Sequence, residues 1–351
     1  MSKTHRARPD LSPLDRAIAR LPLADLPTPL REYEVDVAGR RHALFVKLDN
    51  LSSGVYGGNK VRKLEYILPL ARKRARHCIA TFGTVGSHHA LATAIYAERL
   101  GYPCIAFLSH QHKTREVADV LATHLALGTE LVPFGGNYAQ RIAILRKKLR
   151  GRGALVVAPG GSSWLGTFGF VQAGRELAAQ VASGLMPVPE RLYVATGTMG
   201  SAAGLALGLA LSGLATEVHA VRVSHTWLCN EDSLHRTMTK ATAMMRRVAP
   251  TIPADLPERA SIRLRHGFFA GGYAHTDERT EAAIACAASQ LDLALESTYT
   301  GKAMAALLHD LHGSEARCLL WNTYNSARLP LAATRSRTSA EPPPAFSRYF
   351  S

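Results

Sequence analysis

Residues 78–109 read CIATFGTVGSHHALATAIYAERLGYPCIAFLS, and this stretch decides the fold. A short apolar run, Cys78–Phe82, gives way to a glycine-punctuated turn and then to a segment of helical period over 87–100. After Gly101-Tyr102-Pro103 a second apolar run follows, Cys104–Leu108. Apolar runs this short, bounded by turn residues, read as strands buried on both faces, and the segment between them reads as a helix. Strand, helix, strand is the unit from which parallel sheets are built. The alternation continues outward. Further strands are expected at Glu130–Phe134, Ala154–Ala158, Arg191–Ala195, Val218–Val223 and Cys318–Trp321, and helices at 61–76, 114–127, 138–150, 167–183, 200–213, 228–248, 276–291 and 301–312. The fold class is therefore α/β, with mostly parallel sheets covered by helices on both faces.

A chain of 351 residues exceeds what one hydrophobic core usually serves, so two domains are expected. Apolar residues make up 47% and charged residues 20%, a globular balance rather than a disordered one. Lys and Arg number 42 against 27 Asp and Glu, a formal charge of +15, which raises nucleic acid or membrane surfaces as partners. The excess is spread along the chain with no basic block, so a solvated surface explains most of it. No run of eighteen apolar residues is present, and residues 1–12 lack the apolar core of a secretory signal. The five cysteines are scattered without a CxxC pair, which suits reduced thiols in the cytoplasm, and no metal-ligand spacing occurs among the 15 histidines. Residues 1–12 and 333–351 are polar or Pro-rich and are expected to be mobile.

In a parallel α/β sheet the ligand lies beyond the carboxyl ends of the strands, so the loops that follow strands carry the chemistry. Four places stand out. In Gly57-Gly58-Asn59-Lys60-Val61-Arg62-Lys63-Leu64-Glu65 two glycines permit close backbone approach, and Lys60 enters a helix at its first turn. A helix N-terminus and the neighbouring cations Arg62 and Lys63 both lower an amine's pKa, as a Schiff-base lysine requires. The plainer alternative is a solvated lysine after a turn. In Thr81-Phe82-Gly83-Thr84-Val85-Gly86-Ser87-His88-His89, Ser87 stands at an N-cap. It is either that alone or part of an anion site made with the first helical amides. Thr196-Gly197-Thr198-Met199-Gly200-Ser201 follows a strand and opens a helix, which suits a phosphate cup for a small cofactor or a simple helix entry. It lacks the spacing of a dinucleotide fingerprint and the Gly-Lys-Ser/Thr of a P-loop. Finally, Tyr273 and Tyr299 each sit in a Gly-bounded turn before a helical pattern, where a lone tyrosine is usually packing.

Taken in order, Gly57-Gly58-Asn59-Lys60 with Arg62-Lys63-Leu64-Glu65-Tyr66, then Gly86-Ser87, Thr196-Gly197-Thr198 and Tyr299-Thr300-Gly301-Lys302-Ala303 resemble the 1-aminocyclopropane-1-carboxylate deaminase/D-cysteine desulfhydrase family. These are pyridoxal-phosphate enzymes of the tryptophan synthase β-subunit fold. The resemblance implies that pyridoxal 5'-phosphate is the cofactor and that Lys60 holds it as a Schiff base and later shuttles the α-proton. It implies that Lys63 and the loop Thr196, Gly197, Thr198, Met199, Gly200 and Ser201 hold the phosphate. Ser87 would stand beside Lys60 at the substrate carboxylate, Tyr299 would stack on the pyridine ring, and Tyr273 would face the substrate's reacting side chain. The family architecture implies a small domain over 63–166 inserted in a large cofactor domain over 13–62 and 167–332, and a homodimer as the assembly.

The sequence also departs from the family. His88 replaces an asparagine that bonds the cofactor's phenolic oxygen. Trp321-Asn322-Thr323-Tyr324-Asn325 stands where His-Thr-Gly-Gly is usual; Thr323 keeps a hydroxyl near the pyridine nitrogen, while Tyr324 and Asn325 crowd the place of two glycines. Met199 replaces a glycine of the phosphate loop. Thr300 occupies the position at which ring-opening members carry a glutamate for the ring nitrogen; a neutral hydroxyl there favours β-elimination over ring opening. The implied function is a lyase or deaminase on a small amino acid, most like D-cysteine desulfhydrase, giving pyruvate and ammonia. The alternatives are cyclopropane opening, or β-substitution or epimerisation of an unusual amino acid. A remote alternative from another class is a nucleic-acid-binding protein on a degenerate enzyme fold, supported by the net charge alone.

Overall fold

A computed structural model describes residues 9–113, 115–326 and 341–350, with Arg115 described by its backbone only. Two sheets organise it. A four-stranded parallel sheet has the order β5-β4-β3-β6, from β3 (Cys78–Thr84), β4 (Cys104–Ser109), β5 (Glu130–Pro133) and β6 (Ala154–Val157). A six-stranded sheet has the order β1-β2-β10-β7-β8-β9, from β1 (Leu30–Val37), β2 (Arg40–Lys47), β7 (Arg191–Thr196), β8 (Glu217–Arg222), β9 (Ile262–Arg265) and β10 (Cys318–Trp321). All seven strands expected from apolar runs form, and every pairing is parallel except β1 with β2.

The hairpin β1–β2 and the edge strand β9 are additions to the sequence reading. β1 (LREYEVDV) alternates with solvent and contains no apolar run. Its turn places both Ala38 (φ 53°) and Gly39 (φ 79°) in the left-handed region, the geometry of a primed hairpin turn, but with alanine where Asn or Asp usually announces it. The helical pattern over 61–76 divides into Asn59–Ile67 and Pro69–Lys73, because Pro69 opens a new first turn.

The expectation of a mobile tail is corrected over 341–350. Pro344–Tyr349 forms a 3-10 helix whose Phe346 and Tyr349 are buried beside Leu108, Val117 and Leu121 of the small sheet's layer. The Tyr349 hydroxyl donates to the Gln111 carbonyl (3.0 Å). Composition suggested a loose tail, but two aromatic anchors suffice to dock it. Residues 1–8, 327–340 and 351, on which the rest of that expectation falls, lie outside the described residues.

Two packing features fix the lysine-bearing helix, Asn59–Ile67. Arg62 lies buried in an ion cluster, donating to Asp49 (2.8 and 2.7 Å) and to Glu176 (2.8 Å), and the Trp321 indole also donates to Asp49 (2.7 Å). Lys47 joins Glu176 in the same cluster. Burial alone would raise the Glu176 carboxyl, but Arg62 and Lys47 outweigh it and hold the group down at about 2. Second, the helix Trp164–Ala182 lies against both the lysine helix and the helix Gly200–Leu211. A Cβ at Gly204 would come 2.4 Å from the Thr167 carbonyl, so the backbones approach more closely than any other residue allows.

Candidate active site

The carboxyl ends of strands and the loops after them converge on one cavity of about 570 Å³. They belong to β3 (Ser87), β4 (Ser109), β5 (Phe134), β6 (Gly160), β7 (Thr196 to Ser201) and β8 (Ser224), and Thr323, after β10, lines a small void beside it. Lys60 reaches this cavity from the second position of its helix. Its approach demands glycine: Gly58 has φ 83°, and a Cβ there would meet the Thr323 carbonyl at 2.7 Å. The Asn59 amide then donates to that same carbonyl (3.2 Å), pinning the turn against the end of β10.

The Lys60 amine hydrogen-bonds to no described residue and lies 5.6 Å from the centre of the Tyr299 ring. Burial lowers its pKa to about 8, with the Glu296 carboxylate opposing the shift. This corrects one step of the sequence argument. Arg62 does not depress Lys60; its guanidinium is turned into the Asp49–Glu176 cluster. Lys63 is the more perturbed amine, held well below its ordinary value by burial and then by Lys60. Lys302, also depressed, donates to the Phe269 and Gly272 carbonyls (2.8 and 3.0 Å) and holds the loop that carries Tyr273.

Lys63 donates to the Gly160 carbonyl (2.9 Å), and Ser162 donates to the Thr198 hydroxyl (2.6 Å). Around Gly200 these groups form a polar cradle. A Cβ on Gly200 would stand 3.0 Å from Ser162 Oγ, 3.3 Å from Lys63 Nζ and 3.4 Å from Thr167 Oγ1. Met199 precedes it with a positive φ of 64°, rare for a residue with a side chain, and buries that side chain. Thr196 donates weakly to the Met199 sulfur (3.9 Å), and the Asn59 side-chain Nδ2 donates to Ser201 Oγ (3.4 Å). A lysine amine, two hydroxyls and a helix N-terminus around a space that only glycine leaves open fit a phosphate group.

Ser87 caps its helix by accepting from the Ala90 amide (3.2 Å) and also lines the cavity. Tyr299 and Tyr273 meet edge to face, with hydroxyls 3.1 Å apart, and burial raises both phenols. His88 lies 2.5 Å by Nδ1 from the Tyr56 hydroxyl. Burial lowers the imidazole and raises the phenol, so the pair is neutral. Tyr324 packs edge-on against His88, and Asn325 Oδ1 accepts from the Gly57 amide (2.7 Å). The two bulky replacements therefore support the lysine turn and His88; Tyr324 lines a small separate void of about 30 Å³ and not the main cavity.

Thr300 is where the sequence expectation needs correction. It is fully buried and lines neither cavity. Its hydroxyl donates to Glu296 Oε1 (3.1 Å), and Glu296 also accepts from the Thr298, Tyr299 and Thr300 amides (2.8, 2.9 and 2.7 Å). Glu296, which sequence reasoning missed, reaches the small void beside Lys60 and Thr323. Gly160, Ser162 and Thr167 were also missed, although Pro159-Gly160-Gly161-Ser162-Ser163 after a strand carried a readable signal.

Parallel sheets, a lysine amine without a hydrogen-bond partner among the described residues and a polar cradle in one cavity suit an enzyme that uses a phosphorylated aldehyde cofactor. A family model described as pyridoxal-phosphate dependent enzyme matches residues 21–323. D-cysteine desulfhydrase of Klebsiella pneumoniae (strain 342) is 32% identical over 304 residues, covering 82% of this chain and 87% of that protein. Nocardicin C-9' epimerase of Nocardia uniformis subsp. tsuyamanensis is 32% identical over 320 residues, covering 88% and 93%. The crystal structure of an ACC deaminase homologue superposes with TM-score 0.73 at 24% identity over 92% of this chain and 96% of that one, which shows the fold. The chain belongs to the pyridoxal-phosphate dependent enzymes, in the 1-aminocyclopropane-1-carboxylate deaminase/D-cysteine desulfhydrase family of the tryptophan synthase β-subunit fold. Its cofactor is pyridoxal 5'-phosphate. Among the described residues no helix is long and apolar enough to cross a membrane.

Proposed function

We propose that this enzyme is a lyase or deaminase acting on a small amino acid, most like D-cysteine desulfhydrase, and that it expels a β-thiolate to leave pyruvate and ammonia. The observation that carries the reading is the single cavity shared by the unpaired Lys60 amine, the Gly200 cradle and Ser87. The several relatives named D-cysteine desulfhydrase support it. When bound, pyridoxal phosphate supplies the electron sink for α-carbanion chemistry.

The chain's own residues do the rest. Lys63, Ser162 and the amides from Thr196 through Gly197, Thr198, Met199 and Gly200 to Ser201 hold the phosphate. Lys60, with a pKa of about 8, is available as a neutral base for the α-proton near neutral pH. Ser87 and the helix amides behind it hold the substrate carboxylate. With the cofactor bound, Tyr299 would offer its ring to the pyridine, and Tyr273, bonded to Tyr299, would face the departing group. His88 would stand near the phenolic oxygen, and Thr323 would present a hydroxyl toward the ring nitrogen. Ring opening is disfavoured because the nearby carboxylate, Glu296, is already occupied by three amides and Thr300.

The test compares D-cysteine and β-chloro-D-alanine with 1-aminocyclopropane-1-carboxylate on the holoenzyme. Pyruvate from the first two and little 2-oxobutyrate from the third is expected; faster ring opening refutes the reading. A second reading is epimerisation. The Tyr56–His88 pair gives the cavity a second proton-carrying group besides Lys60, and the epimerase relative favours the same chemistry. Loss of optical activity with α-deuterium uptake and no pyruvate would establish it. The same reading takes the enzyme as a cytoplasmic homodimer, which sedimentation of the holoenzyme at twice the chain mass checks.

A further inference from the structure

The cavity extends well beyond what a cofactor and a three-carbon amino acid require of their surroundings. Its lining contains three basic side chains, Lys60, Lys63 and Arg141, and no Asp or Glu. The first two belong to the cofactor's site. Arg141 is left over. Its guanidinium lies 5.6 Å from the centre of the Phe134 ring, and its Nε donates to the Gly136 carbonyl (3.1 Å). Among the described residues no carboxylate pairs with it. An arginine held over an aromatic face, with its terminal fork open to an acid-free cavity, is preorganised for an anion.

The lining is also aromatic. Phe82 stacks on Phe107 and packs against Phe134, so the rings contributed by the small sheet are fixed in place. From the loop after β8 comes Trp227, which lines the same cavity yet is 78% exposed. A cavity lined by a solvent-exposed tryptophan, a fixed aromatic wall and an arginine without a carboxylate partner suits a flat apolar group with an acidic tip.

We propose that this region is a leaving-group subsite, and that the preferred substrates are S-substituted cysteines whose sulfur bears an aromatic group ending in an anion. The proposal rests on the elimination reading and names what is eliminated. The Cβ–S bond breaks, the sulfur leaves with its electron pair and takes a proton, and one water is consumed. The products are thiol, pyruvate and ammonium in equal amounts. Phe134 and Trp227 would hold the ring and Arg141 the anion, so the substituent is oriented before the bond breaks.

The test uses holoenzyme with both enantiomers of cysteine, S-phenylcysteine and S-(4-carboxyphenyl)cysteine. Two quantities are read: pyruvate formation, and the dissociation constant from the change in the cofactor's visible spectrum on adding amino acid. The carboxyphenyl compound is expected to bind at least 10-fold more tightly than the phenyl compound. Arg141→Met should reduce that ratio to about 1, and Trp227→Ala should weaken both aryl compounds relative to cysteine. Both side chains are exposed, and an unchanged spectrum of the resting variants verifies that they are folded. Pyruvate from cysteine with no preference among the aryl compounds overturns the subsite and leaves the reaction standing. Tighter binding of the carboxyphenyl compound without pyruvate supports the subsite and overturns the reaction. Absence of any spectral response to either aryl compound overturns the subsite as well.

Discussion

Lys60 should capture the cofactor with the pH dependence of an unusually acidic amine. An ordinary lysine releases its proton near 10.5, whereas burial brings Lys60 to about 8. The difference of 2.5 units makes the neutral, nucleophilic amine about 300-fold more abundant at pH 7 than it would be on an exposed lysine. The sign is fixed by which form reacts: only the deprotonated amine attacks, so the rate rises with pH and levels off once the amine is neutral. Apoenzyme mixed with pyridoxal phosphate should therefore develop its visible band about 10-fold faster at pH 9 than at pH 7, with little gain above pH 9. An unperturbed lysine would gain about 100-fold over that interval and continue to rise. Glu296→Gln supplies a further check, because Glu296 is the group that opposes the shift. Its amide oxygen can still accept from the helix amides, while the lost charge should move the midpoint below that of wild type. A wild-type midpoint near 10.5, an upward move in Glu296→Gln, or a borohydride-reduced label on Lys302 rather than Lys60 would refute the reasoning.

Three further outcomes follow from the geometry. Gly200→Val should release the cofactor far more readily than Gly197→Val, since a side chain at 200 meets Ser162, Lys63 and Thr167 within 3.4 Å while one at 197 has only ordinary contacts from 3.7 Å; equal retention on gel filtration would show that the cradle lies elsewhere. Glu176→Gln leaves Lys47 and Arg62 to share Asp49 and should cost about 3 kcal/mol, read as a lower urea midpoint. Because the Glu176 pKa is depressed, that contribution is complete above the ordinary carboxyl value of 4.5 and is lost as pH falls toward about 2, so the wild type and the variant should converge in acid. Phe346→Ala should lower stability by about 1.5–3 kcal/mol, the transfer value of one buried ring, because the docked segment can detach instead of leaving a cavity; an unchanged melting temperature would show that its docking contributes nothing.

How much of this was legible depended on whether the signal was local. The parallel strands were, because a strand buried on both faces must be a continuous apolar run, and Cys78–Phe82 or Arg191–Ala195 cannot be much else. β1 was not, since an edge strand facing solvent needs no such run and its turn used Ala38 in place of a telltale residue. The site divided in the same way. Lys60, Ser87 and the Thr196 loop announce themselves by glycine and capping chemistry. Glu296 does not: its role depends on a side chain reaching forward to cap the helix that begins at Thr300, and only coordinates show that reach. Arg141 was visible merely as one of many basic residues on a helix that reads as a solvated face, and its relation to Phe134 depends on tertiary packing.

The family departures bear on whether the site is intact or decayed. Random loss of function would leave substitutions uncoordinated, with unfilled space or unpaired polar groups around each. Here they compensate one another. His88 is bonded by Tyr56 and packed by Tyr324, so a replacement following β3 and a replacement following β10 meet face to edge. Asn325 replaces a glycine and in exchange accepts from the amide of Gly57, at the start of the turn that aims Lys60. Met199 takes a positive φ and buries its side chain. His88 and Met199 line the main cavity, which stays open with its amine, its cradle and its arginine, whereas Tyr324 and Asn325 line the small void beside it. Substitutions that gain packing partners around an open cavity point to altered specificity on a working site. The same open cavity counts against the nucleic-acid alternative, whose support is the net charge alone.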